Sequence, residues 1–169
     1  MKKSSIIKKV RETIPVTVKK GSADVLSRLA ILDKDQKLAV LATVSDNEPY
    51  TSLVAYAVTP DMKGLIFATP RGTQKYRNMI RNKNVSLLID TRSNTAADYR
   101  KAELITIIGS AHRLKRGRKR DDFAKALLKK HPKLKKFAEA PSTSLVLVKI
   151  IKCIHVNSFQ IVSQISIGS

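Results

Sequence analysis

The chain has no tryptophan, a single cysteine, and aromatic residues at only 5% of its 169 positions. A core assembled without aromatics must be aliphatic, and a 43% hydrophobic content supplies enough residues for one. The lone Cys153 excludes an intrachain disulfide and any cysteine metal cluster, and is expected as a small buried hydrophobe on a strand. No apolar run approaches the ~18 residues of a membrane-spanning helix, so no membrane partner is expected. The opening stretch, MKKSSIIKKVRETIPVTVKK, is charged but lacks the apolar segment of a secretion signal, which makes a cytoplasmic location the expectation. Acidic residues are also scarce, 13 against 33 Lys and Arg, for a net charge of +20.

That charge attracts anions, whether nucleic acid, phosphorylated cofactors or acidic lipid. It is concentrated in two places. Residues 1–20 carry seven Lys/Arg against one Glu and read as a basic N-terminal arm. The stretch His112–Lys136 carries twelve Lys/Arg against two Asp. Either the second tract is the solvated face of amphipathic helices, or it contacts a polyanion. The shortage of aromatics favours the first, because base stacking needs rings.

One domain is expected over 21–169, with a basic helical insertion at about 116–139. Ser22 suits the cap of a helix from Ala23 to about Leu32. Leu38–Val44 and Tyr50–Thr59 read as a hairpin around Ser45-Asp46-Asn47-Glu48, and Leu65–Thr69 as a third strand. A turn at Pro70–Thr73 leads into a helix to about Arg81. Val85–Thr91 and Glu103–Leu114 read as strands, the second interrupted at Gly109 by a bulge or bend. Between them, Thr95 or Asn94 suits the cap of a short helix. Arg118–Lys130 and His131–Ala138 read as basic helices, with Phe123, Ala124, Leu127 and Leu128 on one face of the first. Ser144–Ile151, Cys153–Val156 and a segment reaching Ile167 complete the strands. Hairpin-connected strands with a few inserted helices predict a mainly β, antiparallel barrel rather than a βαβ sheet.

The chemistry candidates converge on the stretch Phe67–Ile89, FATPRGTQKYRNMIRNKNVSLLI. Thr69 ends a strand, Thr73 stands where a helix starts, and Lys75 lies in its first turn. Free N–H groups at a helix start, a hydroxyl and an ammonium suit a phosphate. Arg71 on the turn can reach the same anion, and Gly72 allows close backbone approach. The alternative is a plain capped helix with solvated basic residues. No HExxH, CxxC, GxSxG or Walker pattern occurs. His112, His131 and His155 have no metal-ligand spacing and are expected at the surface. Asp121-Asp122 reads as a helix first turn, and Asp90 and Asp98 as loop or cap residues. Catalytic residues are therefore unassigned, and no metal site is expected. A chain without such groups that does chemistry borrows a cofactor's reactivity.

Four segments together resemble the pyridoxamine 5′-phosphate oxidase-like family of FMN-binding split barrels. They are Leu38–Val54 (LAVLATVSDNEPYTSLV), Leu65–Ile89, Asp90–Tyr99 (DTRSNTAADY) and Glu103–Leu114 (ELITIIGSAHRL). The resemblance covers about residues 23–114. It implies a six-stranded antiparallel split β-barrel, a homodimer, and FMN at the subunit interface. Lys75 matches the lysine that holds the FMN phosphate, with Thr69 and Thr73 as its hydroxyl or backbone partners. Pro70, Arg71 and Gln74 complete the implied phosphate turn, Gln74 standing where the oxidases often carry a second basic residue. Ser52, Leu53 and Val54 match the strand whose backbone lies along the flavin ring. The vitamin oxidases have an arginine at the position of Ser52, a lysine at Ala57 and an Arg-Gln pair at Glu103-Leu104. These departures weaken flavin and pyridoxal-phosphate contacts and point away from pyridoxamine phosphate as substrate; the resemblance implies an FMN-dependent oxidoreductase acting on another small molecule. Relatives of the family also use a deazaflavin, or bind or degrade haem, for which His112 or His155 would have to supply an axial ligand.

Overall fold

The computed structural model describes residues 17–20, 23–157 and 161–167. Residues 1–16 of the basic arm and the expected cap Ser22 lie outside this set. Chain order is β1 (Thr17–Lys20), α1 (Ala23–Asp35), β2 (Leu38–Ser45), β3 (Glu48–Val58), β4 (Gly64–Pro70), α2 (Gln74–Arg81) and β5 (Asn84–Asp90). It continues with α3 (Asp98–Lys101), β6 (Leu104–Arg113), α4 (Arg118–Lys130), a 3₁₀ turn (Pro132–Leu134), α5 (Lys135–Glu139), β7 (Thr143–Asn157) and β8 (Ile161–Ser166).

Strands run side by side as β7-β4-β3-β2-β5-β6, and β6 pairs again with β7. The six therefore close into an antiparallel barrel. The β2–β3 hairpin turns at Asp46 and Asn47, whose φ values of 52° and 63° are the left-handed pair that a two-residue turn requires. Along β2 the alternation is direct: Ala39, Leu41 and Thr43 face the interior, while Leu38, Val40 and Ala42 face out.

Strand β7 is a single 15-residue element, not the two segments expected on either side of Lys152. Its first half pairs with β4, its second half with β8, and β6 lies along both. The register slips once, where Ile108 faces Lys152 and Gly109 faces Ile150. Ile151 is the extra residue of this bulge, at the glycine where a break was expected. A Cβ on Gly109 would stand 2.5 Å from the Lys149 carbonyl oxygen and 2.6 Å from Val148 Cγ1.

The core is mainly aliphatic, as the composition predicts, with Tyr56 and Phe67 as fully buried aromatics within it. Helix α1 closes one end of the barrel with Val25, Leu29 and Leu32. Its Asp33 accepts from Val58 N–H at the end of β3. Helix α2 closes the other end, where Asn78 Nδ2 donates to Thr43 Oγ1 of β2 at 3.0 Å. Helix α4 lies outside, packing Leu127 with Phe123 and Ala124 onto Ala57, Ile66, Leu145 and Leu147. Full burial of each such side chain contributes about 1.5–3 kcal/mol. The apolar face of α4 is thus spent on the barrel, and Lys119, Lys125 and Lys129 remain exposed. Cys153 is fully buried, and burial pushes its thiol up to about 11.

Neither expected cap serves α3: its N-cap is Ala97, which has no side-chain bond. Asp98 instead gathers the Ser93 and Thr95 N–H groups onto its carboxylate. Among the described residues no helix is long and apolar enough to cross a membrane.

Gly109→Ala should destabilise the fold by about 1–3 kcal/mol, because the methyl group meets the Lys149 backbone as well as the buried, β-branched Val148 side chain. Urea denaturation reads this as a lower midpoint, and an unchanged midpoint would mean that the bulge absorbs the methyl group.

Candidate functional site

The turn between β4 and α2 is built from hydroxyls. Thr73 is the N-cap, in extended backbone at φ −81° and ψ 153°. Its hydroxyl donates to the Pro70 carbonyl at 2.9 Å and accepts from the Tyr76 N–H at 3.4 Å. With its only proton committed to Pro70, Thr73 can only accept at the 3.0 Å contact with Thr69, so Thr69 is the donor. Arg77 reaches back to the Gly72 carbonyl at 2.6 Å and to Gln74 Oε1 at 2.8 Å, pinning the turn. Gln74 Nε2 donates to Asn78 Oδ1 at 2.7 Å.

The two hydroxyls therefore shape the turn from within. The groups left to face a ligand are the first N–H groups of α2 and the Lys75 ammonium. Lys75 is half-buried, and among the described residues no carboxylate pairs with it. Arg71 is placed differently from Lys75. Its guanidinium donates to the Pro141 carbonyl, and its N–H to Ser142 O at 2.9 Å. It ties the turn to the start of β7.

Strand β3 supplies the facing wall. It pairs with β2 over Glu48–Ala55 but with β4 only over Tyr56–Val58. Over residues 48–55, its side away from β2 has no strand partner among those described, which is the split in the barrel. Ser52, Leu53 and Val54 lie on this open length. Val54 points into the core and Leu53 is 61% exposed. Ser52 Oγ is buried with no hydrogen-bond partner. A buried hydroxyl without a partner costs about 1–3 kcal/mol; Tyr56 Oη in the core shares this state, whereas Ser52 lies on the open length, where a ligand can supply the partner. These groups fit a phosphorylated, planar cofactor: a cation and free N–H groups for the phosphate, and an open backbone edge for a ring.

The surface expected for all three histidines is overturned at His155. It is buried, and its Nε2 lies 2.8 Å from Glu103 Oε1. The other oxygen of Glu103 meets Arg28 of α1 in an ion pair, with Arg28 Nε also 2.7 Å from Oε1. The Arg28 hydrogen bond holds the Glu103 carboxyl below its ordinary value, against the opposing effect of burial. Glu103 thus braces α1, β6 and β7 and is turned away from any ligand. Sequence spacing gives no sign of this triad, because its members lie 75 and 52 positions apart.

His131 is half-buried, its Nε2 2.8 Å from the Tyr56 carbonyl. His112 is half-buried in a cleft of about 240 Å³ beside α2, lined by Tyr76, Met79, Lys83 and Arg113. Burial, then Lys149 and Lys83, lower its pKa. Nearby, burial raises the Tyr76 phenol, but hydrogen bonds from Ser144 and Arg113 outweigh it and the net shift is downward. Asn78 and Arg77, which fix α2 and its turn, also escaped sequence reasoning. A buried polar residue on a short helix carries no periodic signal.

A family model described as pyridoxamine 5′-phosphate oxidase matches residues 29–157. No curated protein matches. Among solved structures, a haem binding protein from Mycobacterium smegmatis superimposes with a TM-score of 0.74 at 17% identity, over 86% of this chain and 58% of that one. General Stress Protein 26 from Bacillus anthracis gives 0.60 at 19% identity, over 79% and 95%. An FAD-binding protein from Mesorhizobium loti gives 0.61 at 15% identity, over 78% and 91%. At these identities the likeness is one of fold.

Glu103→Gln removes the charge that pairs with Arg28 and lies beside His155, and should cost about 1–3 kcal/mol. A carboxyl with a depressed folded pKa contributes fully above its ordinary value of 4.5, and that contribution is lost as pH falls through the folded value. Melting temperature should therefore decline on acidification in the native chain, with a shallower decline in Glu103→Gln. Parallel pH curves would show that the triad contributes nothing.

Proposed function

The chain belongs to the pyridoxamine 5′-phosphate oxidase-like split-barrel family, and from that premise we propose that it is an FMN-binding homodimer acting as an oxidoreductase on a small molecule. The observation that carries the proposal is the unpaired, half-buried Lys75 at the start of α2, together with the unpartnered Ser52 hydroxyl on the open length of β3. FMN, when bound, supplies the hydride or electron transfer. Lys75 and the first N–H groups of α2 hold its phosphate, as a helix start favours an anion. Thr69 and Thr73 keep the turn in shape, with Pro70 and Arg71 tying it to β7. The backbone of Ser52–Val54 offers hydrogen bonds to the ring edge.

Two features argue against pyridoxamine phosphate as the substrate. Ala57, where the vitamin oxidases have a lysine, is 3% exposed and sealed under Leu127. Glu103, at the Arg-Gln position, is committed to Arg28 and His155. A deazaflavin offers the same phosphate, and mass spectrometry of the released group distinguishes it from FMN. Haem is less well served. His155 is locked inside the barrel against Glu103, and His112 stands half-buried between cationic neighbours, Lys83 and Arg113.

The homodimer rests on the outer face of β3, β2, β5, β6 and β7. Register places Leu53, Val40, Leu88, Thr106 and Ile154 in one outward row. An uncharged row across five strands, in a chain of net charge +20, suits burial against a second copy. It also brings the open edge of β3 to the interface.

Titration with FMN should show saturable uptake, and Lys75→Ala should raise Kd about 10–100-fold, the value of a charge-assisted hydrogen bond. No uptake by the native chain would refute the flavin reading; equal affinity in Lys75→Ala would move the phosphate elsewhere. Leu53→Glu should sediment as a monomer at concentrations where the native chain is dimeric, and an unaltered dimer would exclude this face.

A further inference from the structure

A larger cleft, of about 710 Å³, opens on the outside of the barrel at the opposite end of β4. Gly64 belongs to its wall, whereas Pro70 belongs to the phosphate turn. Strand geometry puts the two about 20 Å apart, so neither cleft is part of the other. The walls are the turn after β3, the middle of β7, the first turns of α4 and the end of β8.

The bulge in β7 creates the floor. Ile151 has no register partner on β6 and stands 50% exposed. Re-aiming a side chain in this way is what bulges do. Its carbonyl accepts from Ile167 N–H at 2.9 Å, which fixes the end of β8 along the rim. Leu147 and Phe123 extend the apolar floor beside Ile151.

Cations hold the rim. Lys63, Lys119 and Lys149 line the cleft, and among the described residues none forms an ion pair. The carboxylate that shares the cleft, Asp61, is already engaged by the Thr59 hydroxyl and the Lys63 N–H. The exposed aliphatic floor is unfavourable to leave in water, and the solvated lysines around it attract an anion. Each half selects a part of the ligand. An inorganic anion would leave the floor wet, a neutral hydrocarbon would leave the lysines unpaired, and a nucleic-acid backbone would meet the rim without filling the cleft.

We propose that this cleft binds an amphipathic carboxylate, its headgroup held by Lys63, Lys119 and Lys149 and its apolar body laid over Phe123, Leu147 and Ile151. Burial of the apolar body supplies most of the affinity and the lysines orient it. The site is independent of the flavin reading, since none of its residues lies on the phosphate turn or on the open length of β3.

Isothermal calorimetry with laurate on the full chain tests this. Laurate should bind one to one below about 1 mM, with acetate and dodecanol each at least about tenfold weaker. The double variant Lys119→Glu/Lys149→Glu should raise the laurate Kd at least about tenfold, and Ile151→Asp should do the same through the floor. Lys133→Glu, an exposed charge reversal beyond the cleft, and Lys75→Ala, on the phosphate turn, should leave it within about twofold. Laurate binding that ignores both cleft variants, or follows Lys133→Glu equally, would overturn the site and leave only general attraction to a basic protein. No binding at about 1 mM would overturn it outright, whatever the FMN titration shows.

Discussion

Closure of the barrel through β7 is the constraint on which the rest depends. One 15-residue strand must pair with β4 on one side, with β8 further along, and with β6 throughout. A strand of that length cannot follow a barrel wall and also leave it without a change of register. The bulge at Ile108/Gly109 supplies that change, and it works because Gly109 has no Cβ to meet the Lys149 carbonyl. Everything placed around the barrel inherits its position from this closure, including the two helices that plug its ends.

Each plug is secured by polar contacts over an apolar base. At one end Arg28, Glu103 and His155 join α1 to the last strands. At the other, Asn78 and Thr43 join α2 to β2. Buried polar groups of this kind contribute little net free energy when satisfied, and cost a good deal when one partner is lost. Their effect is to fix orientation. The start of α2 can offer its N–H groups and Lys75 in one direction only because Asn78 and Arg77 hold the helix and its turn.

The charge of the chain reads differently once the helices are placed. The tract around α4 is strongly basic, yet its apolar face covers Ala57 and Ile66, so its lysines are what remains outside after packing. Some of that charge belongs to a shaped place: Lys119 stands with Lys63 and Lys149 around an apolar floor. Solvated charge and a ligand-facing rim therefore come from the same helix, separated by which turn of it a residue occupies.

Much of this was legible in one dimension. Apolar runs between turn residues marked the strands, Ser45-Asp46-Asn47-Glu48 the hairpin, Thr73 the start of α2, and Gly109 the bulge. These are local statements, governed by backbone sterics and period, and they hold wherever the segment lands. The expected surface placement of His155 failed because its partner Glu103 is distant in sequence, and the cap expected of Thr95 or Asn94 failed because α3 starts later, with Ala97 as its N-cap, and Asp98 folds the preceding loop onto its carboxylate through the Ser93 and Thr95 N–H groups. Lys75 could be read as a phosphate ligand from its place after Thr73. That Arg71 turns to Pro141 instead could not, since Pro141 reaches the turn only when β7 closes on β4. The sequence by itself determined most of the elements and a mainly aliphatic core, and marked the turn before α2 as one that suits an anion. Only the tertiary structure decided which cations stay unpaired, because pairing depends on distances that closure sets and spacing does not.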